Sequence, residues 1–157
     1  MLRHLPERSR ATSWGIQEGT TLEGRSIVII GAGGTAQEAV RLFGVFNTRI
    51  TVVGRKAETA EGADRTVTIT DLADVLPSAD VLVLAAALTS DTAQMIGAQE
   101  LALLEPSCVL VNIARGKLLD TEALLQALAG ERLAGAALDV TDPEPLTDGH
   151  PLWTEPR

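Results

Sequence analysis

Ile27-Val28-Ile29-Ile30-Gly31-Ala32-Gly33-Gly34-Thr35-Ala36 is the stretch that decides how this 157-residue chain folds. A short apolar, β-branched run breaks into a glycine-rich turn and passes directly into a helical pattern, which is the order strand, turn, helix. Gly31 lets the chain turn sharply after the strand. Gly33 removes a side chain where a pyrophosphate would approach, and the small Ala36 lets helix and strand pack closely. Gly34 and Thr35 complete the turn, and the helix after it would aim its free amides and positive dipole end at an anion. A G-x-G-x-x-G/A string by itself also suits a purely structural turn. Its position between a strand and a helix favours the phosphate cradle.

Working outward, a strand and helix alternation begins at Ser26 and continues, the pattern of a parallel sheet covered on both faces. Strands are predicted at 26–30, 49–53, 66–69, 81–85, 108–112 and 134–138. The intervening helices are predicted from Thr35 to about Phe43, ending at Gly44; from a cap at Asp71 to Leu76, closed by Pro77; over 99–104; and over 121–129, capped by Asp120 and ending at Gly130. On the first helix Ala36, Ala39, Val40 and Phe43 share the inward face, and on the last Leu124, Leu125 and Leu128 do. Six strands interleaved with helices after a glycine fingerprint specify a Rossmann-type, doubly wound α/β fold in three layers, α/β/α. Residues 1–24 read as a lead-in segment with a short helix over about 2–13 and Trp14 as an anchor; residues 25–157 read as the dinucleotide-binding domain.

Composition narrows the function classes. With 45% hydrophobic and 22% charged residues the chain is that of a folded domain, not a disordered one. A formal net charge of -8, together with two Phe, two Trp and no Tyr, argues against a nucleic-acid binder or a basic membrane-surface protein. The longest apolar run, Val81 to Leu88, is too short to span a bilayer, and the charged start of the chain does not resemble a secretory leader. The single cysteine, Cys108, in an apolar run reads as a buried small hydrophobe in a reducing compartment. A cytoplasmic location follows as the expectation, and no metal site is expected.

In a doubly wound sheet ligands lie beyond the carboxyl ends of the strands, so the residues after each strand carry the chemistry. After strand two, where an NAD-preferring protein places an acidic residue for the ribose 2'-hydroxyl, stand Gly54, Arg55 and Lys56. Two cations beside a small residue suit a 2'-phosphate, so NADP(H) is favoured over NAD(H), the alternative being two solvated basic residues in a turn. After strand four, the loop 88–92 with its hydroxyls can pass beneath a cofactor or be a plain capped turn. After strand five, Arg115 can hold a carboxylate and polarise a carbonyl, or make an ordinary surface salt bridge. After strand six, Asp139 and Glu144 can take acid-base or orienting roles, or serve as a loop cap and a solvated carboxylate.

The ordered set Gly31-Ala32-Gly33-Gly34-Thr35-Ala36, Leu88-Thr89-Ser90-Asp91-Thr92, Val111-Asn112-Ile113-Ala114-Arg115-Gly116, Gly135-Ala136-Ala137-Leu138-Asp139-Val140, Asp142-Pro143-Glu144-Pro145-Leu146 and Pro151-Leu152-Trp153 closely resembles the D-isomer-specific 2-hydroxyacid dehydrogenases from about Leu22 onward. The Gly54-Arg55-Lys56 run is similar to that of the glyoxylate and hydroxypyruvate reductases. The resemblance implies that Arg115 binds and polarises a 2-keto acid, that Glu144 pairs with a catalytic histidine and that Asp139 holds the nicotinamide carboxamide. It implies pyrophosphate contacts from Gly31 through Ala36 and contacts beneath the ring from Thr92 and Ala114. It also implies a homodimer formed through this domain. Two departures accompany it. The family's Thr-Pro-His block follows Pro-Leu-Trp at a point beyond Arg157, and neither His4 nor His150 replaces that histidine. The separate substrate domain is also missing, so the expected activity is that of a cofactor domain, a possible fragment inactive alone. The alternative is a catalytically inactive dinucleotide-binding interaction module, corepressor-like or a remnant.

Overall fold

The computed structural model describes residues 20–56 and 60–157. The expected lead-in helix and the Trp14 anchor lie outside the described residues. Six strands form one parallel sheet: β1 (Ser26–Ile30), β2 (Arg49–Gly54), β3 (Arg65–Thr68), β4 (Val81–Leu84), β5 (Val109–Asn112) and β6 (Gly135–Leu138), in the order β3-β2-β1-β4-β5-β6. The connection reverses direction between β1 and β4, which is where a doubly wound sheet opens its ligand crevice.

The alternation within β1 explains why both sheet faces are covered. Ile27 and Ile29 point into a cluster with Ala36, Ala39 and Val40 of α1 (Gly34–Gly44), while Val28 and Ile30 point into the opposite cluster. That second cluster joins Leu82, Leu84 and Leu110 to α2 (Leu72–Val75), α3 (Ala98–Leu101) and α4 (Thr121–Ala129). Each fully buried isoleucine or leucine removes enough apolar area from water to contribute about 1.5–3 kcal/mol. A nearly unbroken apolar strand is therefore what a central position in this sheet requires.

The element boundaries depart from the sequence expectations where local polar bonds win. Helix α1 runs through Gly44, and Val45 follows in a right-handed conformation; the left-handed residue that reverses the chain is Asn47, at φ 56°. Strand β3 stops at Thr68, because Thr68 and Asp71 form a reciprocal cap: the Asp71 carboxylate accepts from the Thr68 backbone N–H at 3.1 Å and from its hydroxyl at 2.6 Å. Asp71 thus stands at the N-cap position of α2 as expected, but spends its carboxylate on the Thr68 capping box and not on the α2 amides, and those two bonds hold its carboxyl below the ordinary range. Pro77 lies within a last 3-10 turn, 76–78, and does not close the helix before it. Helix α3 ends at Leu101, several residues short of Pro106. In α4, Asp120 caps as expected by accepting from Glu122 and Ala123, but the buried face is Ala123, Leu124, Ala127 and Leu128. Leu125 lies only half-buried, beside an open surface depression of about 410 Å³ shared with Pro151 and Thr154.

No helix among the described residues is long and apolar enough to cross a membrane. Cys108 is a free, buried thiol whose pKa is pushed up to about 11, chiefly by burial. It is held as the unreactive thiol at neutral pH.

Candidate dinucleotide and acid-binding site

The carboxyl ends of the strands align in register, with Ile30 opposite Val53 and Leu84, Leu84 opposite Asn112, and Asn112 opposite Leu138. The loops that follow are pinned to the neighbouring strand by one backbone bond each. Gly31 N–H donates to the Val53 carbonyl at 2.8 Å, Ala85 to Ile30 at 2.8 Å, Ile113 to Leu84 at 3.3 Å and Asp139 to Asn112 at 3.0 Å. The loops after β1, β4, β5 and β6 therefore leave one edge of the sheet from fixed starting points, and the loop after β2 leaves the same edge.

The glycine turn divides into two functions. Gly31 has φ 127°, and a Cβ there would lie 2.5 Å from the Ala85 carbonyl oxygen, so only glycine allows the β1 and β4 ends to come together. At Gly33 and Gly34 a Cβ would meet nothing within 4 Å. Their smallness answers no crowding within the described residues, and it leaves the N-terminal backbone of α1 uncovered. The first turn of α1 contains no acidic side chain, and Gly33 makes no side-chain cap. Exposed amides, a positive dipole end and no competing carboxylate fit a dinucleotide's pyrophosphate. Thr35 is exposed on this turn, while Ala36 is buried and seats the helix against the sheet.

Arg55 and Lys56 are exposed just beyond β2. The smallness of Gly54 has a local cause as well as a spatial one: a Cβ there would come within 3.1 Å of the Lys56 carbonyl oxygen and 3.5 Å of Ala32 Cβ. In the loop after β4, the Thr92 hydroxyl donates to the Ala87 carbonyl at 2.8 Å and accepts from the Thr89 N–H at 2.8 Å. Its oxygen is committed first to shaping its own loop.

Beyond β5 the arrangement is denser. The Asn112 side chain is fully buried, its Nδ2 donating to the Arg115 carbonyl at 3.0 Å and its Oδ1 accepting from the Ala114 N–H at 3.1 Å. Arg115 itself is exposed and extended, one guanidinium nitrogen donating to the Ala114 carbonyl at 2.7 Å. No carboxylate pairs with it among the described residues, so the alternative of an ordinary surface salt bridge is not formed there. Gly116 follows, buried, and a Cβ on it would fall 1.9 Å from the Thr141 carbonyl oxygen. Only a glycine lets the arginine loop lie against the backbone that leads to Glu144. That second loop is anchored from α4 as well, where the Thr121 hydroxyl donates to the Asp142 carbonyl at 3.0 Å. Asp139 and Glu144 are both exposed at this end. His150, the one histidine among the described residues, caps the turn 151–153, its Nδ1 accepting from the Leu152 N–H at 3.2 Å.

Asn112 and Gly116 are the residues that reading the sequence for chemistry passed over. Both sit inside the stretch quoted for its arginine, and the signal was an amide closing an otherwise apolar strand. The described residues contain no group of three or more His, Cys, Asp or Glu arranged to hold a metal ion.

Fold and loop edge together define a dinucleotide-binding α/β domain. The chain matches over residues 2–157 the family described as D-isomer specific 2-hydroxyacid dehydrogenase, NAD binding domain, and it belongs to that family. It is 41% identical over 127 residues to a glyoxylate reductase of Thermococcus gammatolerans, covering 81% of this chain and 38% of that protein. It superposes on a phosphoglycerate dehydrogenase from Lactobacillus plantarum with a TM-score of 0.86 at 33% identity, covering 93% of this chain and 47% of the other. With an NADPH-dependent glyoxylate/hydroxypyruvate reductase from Sinorhizobium meliloti the TM-score is 0.84 at 27% identity, covering 91% and 74%. The chain spans about two fifths of the length of the curated relative quoted, 38%. The alternative of a catalytically inactive interaction module gains no support from these relatives.

Proposed function

We propose that this domain binds NADP(H) and serves the reduction of a short 2-keto acid, with Arg115 as the group that holds the acid and stabilises charge developing on its carbonyl oxygen. The observation that carries the reading is the pairing, on one sheet edge, of an open glycine turn with an exposed arginine whose backbone is fixed by a buried amide. The amides of Gly33, Gly34 and Thr35 would hold the pyrophosphate, with Gly31 and Ala36 setting the turn, and Arg55 and Lys56 would face the 2'-phosphate. Thr92, Ala114 and Asp139 would line the nicotinamide end, Asp139 accepting from the carboxamide. The dinucleotide supplies the hydride when bound. Arg115 orients the acid through charge-assisted hydrogen bonds, and Glu144 orients and raises the basicity of a histidine proton donor. His150 does not fit the histidine paired with Glu144 through Nδ1–H, because its Nδ1 accepts from the Leu152 amide and carries no proton to give a carboxylate. A homodimer and a cytoplasmic setting complete the proposal; the inert, buried Cys108 favours a reducing compartment.

Separate fluorescence titrations of the chain with NADPH and NADH test the cofactor assignment. The expected result is saturable binding of both with NADPH tighter, and tighter NADH overturns the roles of Arg55 and Lys56. Turnover of glyoxylate or hydroxypyruvate by the 157 residues alone is expected to be negligible. Robust reduction would overturn the view that the proton donor lies outside these residues.

A further inference from the structure

We infer that Asn112 is a positioning residue for Arg115: its buried amide presets the arginine for the incoming carboxylate before any ligand arrives. The inference rests on the reading of Arg115 as the acid-binding group. Asn112 is the only polar side chain in the buried core among the described residues. Burying an amide costs free energy unless its hydrogen bonds are satisfied, and an aliphatic residue would suit the end of an apolar strand better. Here every side-chain bond is spent on one short loop. Oδ1 holds the Ala114 N–H and Nδ2 holds the Arg115 carbonyl, so the amide spans the turn that carries the guanidinium. The orientation of the amide is fixed by its partners, because one is solely a donor and the other solely an acceptor.

The same residue governs the neighbouring loop through its backbone. The Asn112 carbonyl accepts from Asp139 N–H at 3.0 Å, and its own strand position is set by pairing with Leu84 on one side and Leu138 on the other. Gly116 then seats the arginine loop on the Thr141 carbonyl with no room for a side chain. Arg115 therefore leaves a backbone held on both sides while its head group stays exposed. A side chain presented this way loses less freedom when it binds, which is how preorganisation converts into affinity.

The test uses the 157-residue chain, isotope-labelled for NMR, with NADPH bound and oxamate as the 2-keto acid isostere. In the wild type, oxamate is expected to shift the Arg115 side-chain Nε–H resonance, and Arg115→Gln to abolish the response. Asn112→Asp keeps the acceptor facing Ala114 but sets an oxygen against the Arg115 carbonyl. It is expected to raise the oxamate requirement by about ten-fold, with NADPH affinity changed by less than about three-fold. Equal oxamate affinity in Asn112→Asp and wild type overturns the inference about Asn112 alone. Equal weakening of oxamate and NADPH also overturns it, as the mark of a merely structural role. A wild type whose Arg115 ignores oxamate overturns the reading of Arg115 itself, and the role of Asn112 with it. Should Asn112→Asp not fold, Asn112→Ser carries the same expectation, its hydroxyl being too short to span the turn. The wild type gives a check that needs no variant: the Ala114 amide is expected to exchange with solvent as slowly as strand amides, and exchange at an open-loop rate overturns the clamp.

Discussion

At Gly33 and Gly34 the chain leaves room, whereas at Gly116 it leaves none: a Cβ on either of the first two meets no atom within 4 Å, while one on Gly116 would fall 1.9 Å from a backbone oxygen. The two regions stand on one sheet edge, after β1 and after β5, with β4 between them. The first is left open, its backbone amides uncovered and its charge supplied by exposed Arg55 and Lys56. The second is closed by protein contacts, with a buried amide and a backbone-to-backbone seat beneath Arg115. On the proposed roles, the difference follows from what each would recognise. A diphosphate is held by amides already aligned on a helix, whereas a single guanidinium on a loop needs neighbours to fix it.

The largest effect expected is at the closed end. Gly116→Ala places a methyl group against the Thr141 carbonyl, and backbone on both sides leaves nothing flexible to yield. A loss of about 3 kcal/mol or more is expected in chemical denaturation. A stability unchanged by this substitution would break the contrast, because the arginine loop would then have slack. Gly31→Ala comes next, at about 2–3 kcal/mol, from its φ of 127° combined with a 2.5 Å approach to Ala85. Two residues along, Gly33→Ala is expected to leave stability within about 0.5 kcal/mol yet to weaken NADPH by about ten-fold, since its methyl group would stand where the pyrophosphate approaches. Denaturation and cofactor titration on the pair separate the structural glycine from the ligand-facing one; a Gly33→Ala that binds normally removes the phosphate cradle from Gly33.

This contrast also marks how far the sequence could be read. The sheet, its strand count and the ligand edge follow from a β-branched run, a glycine turn and repeated alternation, because local periodicity and turn chemistry set them. The capping box of Thr68 and Asp71, and the left-handed Asn47 that takes the turn expected at Gly44, depend on which of several competent polar residues lies at the right distance. Gly116 and Asn112 were harder still. Their reasons are contacts with Thr141 and with the far side of a turn, and spacing along the chain does not show which backbone will arrive there. The open end of the site was legible because its turn is a local motif; the closed end was not, because its partners are other parts of the fold.

The smallest effect expected is at the opposite edge of the sheet, and it asks whether either region feels the sheet's far end. Asp80 accepts from the Ser26 N–H at 2.8 Å and pairs with Arg25 at 2.9 Å, tying the start of β1 to the residue just before β4. The backbone bond from Ser26, with help from Arg25, holds its carboxyl below the ordinary range although partial burial opposes this. A carboxyl whose folded pKa lies below its unfolded one contributes stability that is fully present above the unfolded pKa and is lost as pH falls through the folded pKa. Wild-type stability should therefore decline below about pH 4 partly through this group, with Asp80→Asn about 1 kcal/mol less stable at pH 7 and flatter in acid. Thermal melts from pH 7 to pH 3 on both proteins check the sign, and a parallel dependence in the two would remove Asp80 from the account. NADPH affinity at pH 7 should be the same in both, because the register of β1 against β4 is carried by the strand ladder as well as by this clamp. If affinity falls in Asp80→Asn, the open glycine turn depends on the far end of β1, and its openness is held in place by a residue a full strand length away.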